Sequence, residues 1–256
     1  MSYLNRFIHS CHDSLISGKN EECVSALEYL KNRGLTDKTI SENKIGYCLS
    51  DEEMPEQIRY FGIKKIHEYN KNGYDYFILG KIIVPIYSEL NYSTAFATRT
   101  PSFQPGFSWW NTPFKKKNHL FLMNKSRKAI YDINKVYIVE GYMDALMLFQ
   151  EGIENVVGLM GTSLSSRRVA LLSRYCERFC ICMDVDENLS GQNAQDKIIF
   201  DLKKLDIDNV TIIDGLNMKQ DPDEYVRKNG REKFLKLERD ISGKELKKII
   251  DKFEKK

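Results

Sequence analysis

Four short apolar, β-rich runs recur between residues 135 and 213, each followed by a helical pattern or a turn into one. "KVYIV", "NVVGLM", "RFCICM" and "NVTII" read as strands. Between them, Met143, Leu146 and Met147 stand at i, i+3, i+4 over Tyr142 to Glu151. Val169, Leu172 and Cys176 share a face after a cap at Ser165 or Ser166, and Ala194, Ile198 and Leu202 mark the next helix. "PDEYVRKNG" opens a last short helix, with Pro222 near its start and Gly230 at its end. A helix after each strand supplies the crossover that parallel pairing needs. The alternation predicts an α/β parallel sheet flanked by helices.

In an open sheet of this kind, functional groups gather beyond the carboxyl ends of the strands. Three of these strands end in acids or lead to them. "YIVEGYMD" puts Glu140 at a strand end and Asp144 about one turn into the following helix. "CMDVD" puts Asp184 and Asp186 at another, at i and i+2, which point the same way in an extended segment. The fourth strand leads to Asp221 and Asp223 in "DPD". Either motif alone is common; their order and position make the set specific. Six carboxylates on one rim repel one another and invite a divalent cation, and Mg²⁺ prefers oxygen ligands and bridges to phosphates.

The net charge of +3 conceals an asymmetry. Residues 136–224 carry 16 acidic and 8 basic side chains, and the remainder carries 20 acidic and 31 basic. An acidic block suits metal ions and a basic one suits a polyanion. From Lys115 to Lys135 seven cations stand against one acid, Asp132, which reads as a nucleic-acid track. No apolar run reaches the ~18 residues of a membrane span. The first residues lack the apolar core of a secretory signal, so the expected compartment is the cytoplasm. Six cysteines in 256 residues do not form a disulfide framework. "HSCH" and "CERFCIC" lack paired CxxC spacing, so zinc is not expected.

Upstream the pattern differs. "VSALEYLKNRGL" reads as a helix stopped by Gly34, and "YFILGKIIVPIY" and "STAFATRT" as antiparallel strands. "PSFQPGFSWWNTP" reads as an irregular loop, with Trp109 and Trp110 packed beneath it rather than stacking on bases. The expected organisation is a mixed α+β basic subdomain over 1–134, the parallel-sheet domain over 135–224, and short helices over 225–256.

"VEGYMDAL", "GLMGTSLS", "CMDVDENLSG" and "KQDPDEYVRKNG" resemble, in order, the TOPRIM motifs of bacterial DnaG-type primases. "ALEYLKNRGLTDKTISENKIGY", "GKIIVPIYSELNYSTAFATRTPS", "WWNTP" and "LFLMN" resemble the preceding part of the primase RNA polymerase domain. The resemblance covers most of residues 20–231. It implies a Mg²⁺ or Mn²⁺ site from Glu140, Asp184 and Asp186, supported by Asp144, Asp221 and Asp223. It also implies template or nucleotide binding by Arg33, Arg99 and Lys116, with Lys115 and Lys117 as alternatives within "KKK". Lys81 stands where the family has arginine, Ser108 where it has lysine, and Gly191 follows Asp186 at a longer spacing. The implied activity is synthesis of short RNA primers on single-stranded DNA from nucleoside triphosphates, with a TOPRIM nuclease or a non-catalytic binding subunit as the alternatives. The expected partners are a replicative helicase and a separate zinc-binding or template-recognition protein, because neither a zinc ribbon nor a full helicase-binding domain is recognised. A core this short fits a phage or mobile element.

Overall fold

The chain divides into two units, residues 1–114 and 115–256, and the first holds an antiparallel sheet with helices packed on it. The computed structural model describes residues 2–18, 20–49, 75–101, 108–185, 190–217 and 220–254. The first unit opens with α1 (Tyr3–Ser17), α2 (Glu21–Asn32) and α3 (Asp37–Glu42). Each begins on a side chain that accepts a first-turn N–H: Ser2 from Asn5, Asn20 from Cys23, Thr36 from Thr39. Such caps satisfy donors that a helix start leaves unpaired.

The strands β1 (Gly46–Cys48), β2 (Lys81–Tyr87), β3 (Ser93–Arg99) and β4 (Trp109–Asn111) pair antiparallel in that order. "YFILGKIIVPIY" is not one strand. Its start is a short helix, α4 (Asp75–Ile78), and Gly80 at φ +67° turns the chain into β2. Leu4, Phe7, Ile8 and Cys11 of α1 cluster with Cys48, Ile83 and Phe96 of the sheet, and Phe77 stacks on Trp110 at 5.0 Å. Trp109–Asn111, read from sequence as part of an irregular loop, instead forms β4, with Trp110 packed on Phe77; residues 102–107 of that loop lie outside the described residues.

Gly46 explains how α1 approaches so closely. A Cβ there would lie 2.5 Å from both the Cys11 carbonyl carbon and the His12 nitrogen. His12 Nδ1 also bonds the Ile45 carbonyl at 2.7 Å. Gly46→Ala forces backbone apart from backbone and is expected to cost about 1–3 kcal/mol. Urea unfolding measures it; an unchanged midpoint would refute the packing argument.

The second unit holds the predicted parallel sheet. After a 3₁₀ turn (Lys116–Asn118) come α5 (Met123–Ile133), β5 (Lys135–Val139), α6 (Tyr142–Gln150), β6 (Val156–Gly158) and α7 (Ser166–Leu172). Then follow β7 (Arg178–Cys182), α8 (Ser190–Lys203), β8 (Val210–Ile213) and α9 (Pro222–Asn229). The chain continues through α10 (Arg231–Leu235), β9 (Glu238–Asp240) and α11 (Gly243–Glu254). The strand order is β6-β5-β7-β8-β9, the first four parallel. Val136, Ile138, Phe179, Ile181, Val210 and Ile212 face one core with Val169, Leu172, Ile198, Leu202 and Ile249 of the helices. Helices α6 and α9 pack on each other.

Two segments pack differently from their sequence pattern. Residues 115–134 belong to this unit: Phe121 bridges Gly158, and Ser126 Oγ donates to the Val156 carbonyl at 2.6 Å. The segment after residue 224 was expected to be helical, yet it contributes β9, antiparallel to β8. Glu238 in that strand accepts hydrogen bonds from Lys135, Tyr137 and Thr211, so its pairing rests on partners distant in the chain. Among the described residues no helix is long and apolar enough to cross a membrane.

Candidate active site

Strand β5 leads to β6 on one side, and β7 lies on its other side, so the connections diverge between β5 and β7. A crevice opens at such a switch point, beyond the carboxyl ends of the two strands. Glu140 follows β5 and Asp184 follows β7. Asp186 lies outside the described residues.

Asp144 anchors the rim. It sits at the third position of α6 and is only 6% exposed. Its Oδ2 accepts the Gly141 N–H at 3.2 Å, the return half of a capping box. Its Oδ1 accepts the Asp223 N–H at 3.3 Å. One carboxylate therefore ties the start of α6 to the start of α9, where Asp221 is the N-cap, Pro222 holds N1 and Asp223 is 3% exposed.

The electrostatics report the crowding. Burial, then the charges of Asp223 and Asp221, pushes Asp144 up to about 7. Burial, then Asp144, Asp221, Glu140 and Asp223, pushes Asp184 up to about 8. Glu140, Asp144, Asp184, Asp221 and Asp223 thus act on one another across one rim. Asp184 Oδ1 is buried with no hydrogen-bond partner among the described residues, as is Gln192 Oε1. Both residues line a cavity of about 150 Å³ with Met183, Gln195 and Asp214. A buried oxygen without a donor is costly unless something positive meets it. The polar side chains lining the cavity, Asp184, Asp214, Gln192 and Gln195, offer oxygen atoms, which suit Mg²⁺ or Mn²⁺. Among the described residues, no three acids, histidines or cysteines stand in a finished metal-holding arrangement.

Gly191 lies against the exit of β7. A Cβ at this position would fall 2.0 Å from the Asp184 carbonyl oxygen. The start of α8 therefore bears directly on the backbone that presents Asp184.

A lysine stands near the loop after β6. Lys115 and Lys117 are exposed, whereas Lys116 is half-buried, and burial followed by the charge of Arg168 pushes its ammonium down. Lys116 Nζ lies 3.5 Å from where a Gly161 Cβ would stand. Gly161, at φ +153°, donates its N–H to the Glu140 carbonyl at 3.3 Å. The ammonium therefore rests beside the strand end that carries Glu140.

Comparison with known proteins bears on both units. A family described as "DNA primase catalytic core, N-terminal domain" matches residues 12–127, and a Toprim-like family matches 137–226. The chain belongs to the bacterial DnaG-type primases. The DNA primase of Aquifex aeolicus is 29% identical over 91% of this chain, and that of Clostridium acetobutylicum 32% over 83%. The chain spans 47% and 37% of those relatives' lengths. The E. coli primase catalytic core superposes with a TM-score of 0.75 at 24% identity, covering 91% of this chain and 77% of that one. A DnaG primase catalytic domain bound to single-stranded DNA superposes with a TM-score of 0.71 at 23% identity, covering 92% and 81%.

The first unit of this DnaG-type chain carries the other cations named from sequence. Arg99 Nε donates to Tyr29 Oη at 3.1 Å, and its Nη1 reaches the Ser108 carbonyl at 3.3 Å and the Ser108 hydroxyl. Its guanidinium lies 5.3 Å from the Trp109 ring centroid. Ser108, at the position where the primase pattern has lysine, thus binds Arg99. Arg33 is the C-cap of α2. Lys81 is 8% exposed, and burial lowers its ammonium against the opposing effect of Glu22. Sequence reasoning passed over Arg168, Gly161 and Gln192. Only the glycine had a legible signal, since "MGTS" interrupts the strand-to-helix link with a residue able to adopt positive φ.

Proposed function

We propose that this chain is a DNA primase, a DNA-directed RNA polymerase that makes short primers on single-stranded DNA by nucleotidyl transfer. The observation that carries the reading is Asp184, on which Asp144, Asp221, Glu140 and Asp223 all bear and whose buried Oδ1 has no hydrogen-bond partner among the described residues. Glu140, Asp184 and Asp186 would hold Mg²⁺ or Mn²⁺, supported by Asp144, Asp221 and Asp223. The metal would supply charge neutralisation for the triphosphate and acidify the attacking 3′ hydroxyl. Asp144 keeps the two helix starts in register beneath the site. Lys116 offers a point charge to phosphate oxygens. Arg33, Lys81, Arg99, Lys115 and Lys117 would serve the template or the nucleotide, with Lys81 acting from a largely buried position. The reading places the protein in the cytoplasm, with a replicative helicase and a zinc-binding or template-recognition protein as partners.

Labelled nucleoside triphosphates on single-stranded DNA, with and without divalent metal, test the activity. Primer synthesis is the expected result. Strand cleavage alone would identify a nuclease, and binding without either reaction a non-catalytic subunit. Adding a helicase or zinc-ribbon protein to the same assay tests the partners, where a higher primer yield is expected.

The template track has its own test. Arg99→Ala, or alanine at Lys115, Lys116 and Lys117 together, should weaken DNA binding. The log–log salt slope should flatten by about 0.7 for each phosphate no longer neutralised. An unchanged slope would move the track elsewhere.

A further inference from the structure

We propose that Arg168 is a positioning residue, fastening the lysine turn to the loop after β6 so that Lys116 is held beside the end of β5 for the phosphates of an incoming nucleotide. The proposal rests on the nucleotidyl-transfer reading and deepens it.

Arg168 sits in the first turn of α7 and is 2% exposed. Its guanidinium makes four hydrogen bonds, all to backbone carbonyls. Nε donates to His119 at 2.8 Å, Nη1 to Ser163 at 2.8 Å, and Nη2 to Lys116 at 2.8 Å and Leu159 at 2.9 Å. Two of these carbonyls belong to the turn 116–119 and two to the loop that leaves β6. One side chain therefore bridges two segments about 40 residues apart in sequence, a task suited to the planar five-donor fork of arginine. Ser165 Oγ adds a bond to the Lys117 carbonyl at 2.7 Å.

The arrangement carries an electrostatic cost. A buried guanidinium loses hydration, and carbonyls offset that loss only in part. Burial pushes Arg168 down to about 10. Packing alone would be served by an apolar residue without that cost. What the cation provides is a fixed location for the Lys116 backbone. The lysine stem has four rotatable carbons, and a wandering anchor would scatter its ammonium. With the turn held, Lys116 Nζ rests over Gly161, whose own N–H holds the Glu140 carbonyl. The chain of contacts runs from Arg168 to the strand end beneath the candidate metal site.

The test uses the full chain with Arg168→Lys and Arg168→Gln. Circular dichroism and thermal unfolding establish which variants are folded; if the glutamine variant is not, the lysine variant, which keeps the charge and loses the fork, carries the test. Acetic anhydride labelling read by mass spectrometry compares Lys116 with Lys115 in the same molecule. Calorimetry with ATP and Mn²⁺ measures nucleotide binding. Expected are a several-fold rise in the Lys116-to-Lys115 labelling ratio and a loss of ATP affinity of about tenfold. Guanidinium added at millimolar concentration to a folded Arg168→Ala variant is expected to reverse both. A labelling ratio and ATP affinity equal to the parent's, with only the melting temperature lowered, would overturn the proposal and leave Arg168 a structural residue. Lys116→Met separates the two layers. If it leaves ATP affinity intact while Arg168 variants still change the labelling ratio, the nucleotide role of Lys116 falls, although the fastening by Arg168 stands.

Discussion

Asp184→Asn is expected to lower metal-dependent primer synthesis by on the order of a hundredfold or more, since even residues that only orient a metal ligand cost ten- to a hundredfold. The substitution keeps the shape of the side chain and removes its charge. Oδ1 meets no hydrogen-bond donor among the described residues, so the site forfeits an oxygen available to a cation. Stability should move the other way. Asp184 is pushed up to about 8 by burial and by Asp144, Asp221, Glu140 and Asp223. At neutral pH an acid raised this far must take up a proton in order to fold, and the neutral amide avoids that cost. In EDTA the variant should therefore melt a few degrees higher than the parent while synthesising almost nothing with Mg²⁺. Near-normal primer yield would remove Asp184 from the site. A lower melting temperature would show that its charge is compensated in the fold.

Gly191→Ala should be nearly as damaging without touching a charged group. Its Cβ would stand 2.0 Å from the Asp184 carbonyl oxygen, a separation that forces backbone to move. Alanine is a good helix former, and Gly191 lies in the first turn of α8, so local propensity alone predicts a gain. The clash reverses that expectation. A displacement near 1 Å at a reacting centre costs about a hundredfold, and the same loss is expected here. Mn²⁺ titration calorimetry should find weaker binding, with far-UV dichroism unchanged. A variant as active as the parent would mean that α8 shifts freely relative to β7.

Much of the second unit was legible because its four parallel strands each end on an interruption and the helices between them repeat at 3.6 residues. The acids at 140, 144, 184, 221 and 223 followed from that layout, since a parallel sheet delivers strand ends to one edge. Strand β9 was not legible: three residues with a glutamate, an arginine and an aspartate show no alternation, and their pairing depends on Lys135, Tyr137 and Thr211. Arg168 was passed over, because its four acceptors are carbonyls, which no side-chain pattern encodes. The choice among Lys115, Lys116 and Lys117 stayed open for a similar reason. Burial singles out Lys116, and burial there comes from the loop that Arg168 ties down. Lys81 was named as the counterpart of a family arginine, with no sign in the sequence that it lies only 8% exposed.

The pairing of β9 with β8 also governs how the protein meets other copies of itself. An uncovered outer strand is a template for intermolecular β-addition, and parallel sheets expose such strands while they fold. Here the apolar β8 is shielded by Glu238, Arg239 and Asp240. Arg239 is itself engaged by Asp214 and Glu245, and so is poorly placed to dock another strand. At the opposite margin, Phe121 occupies the hydrogen-bonding groups of Gly158. The sheet thus ends in a charged border on one side and a borrowed residue on the other, which favours a discrete particle over a growing fibril.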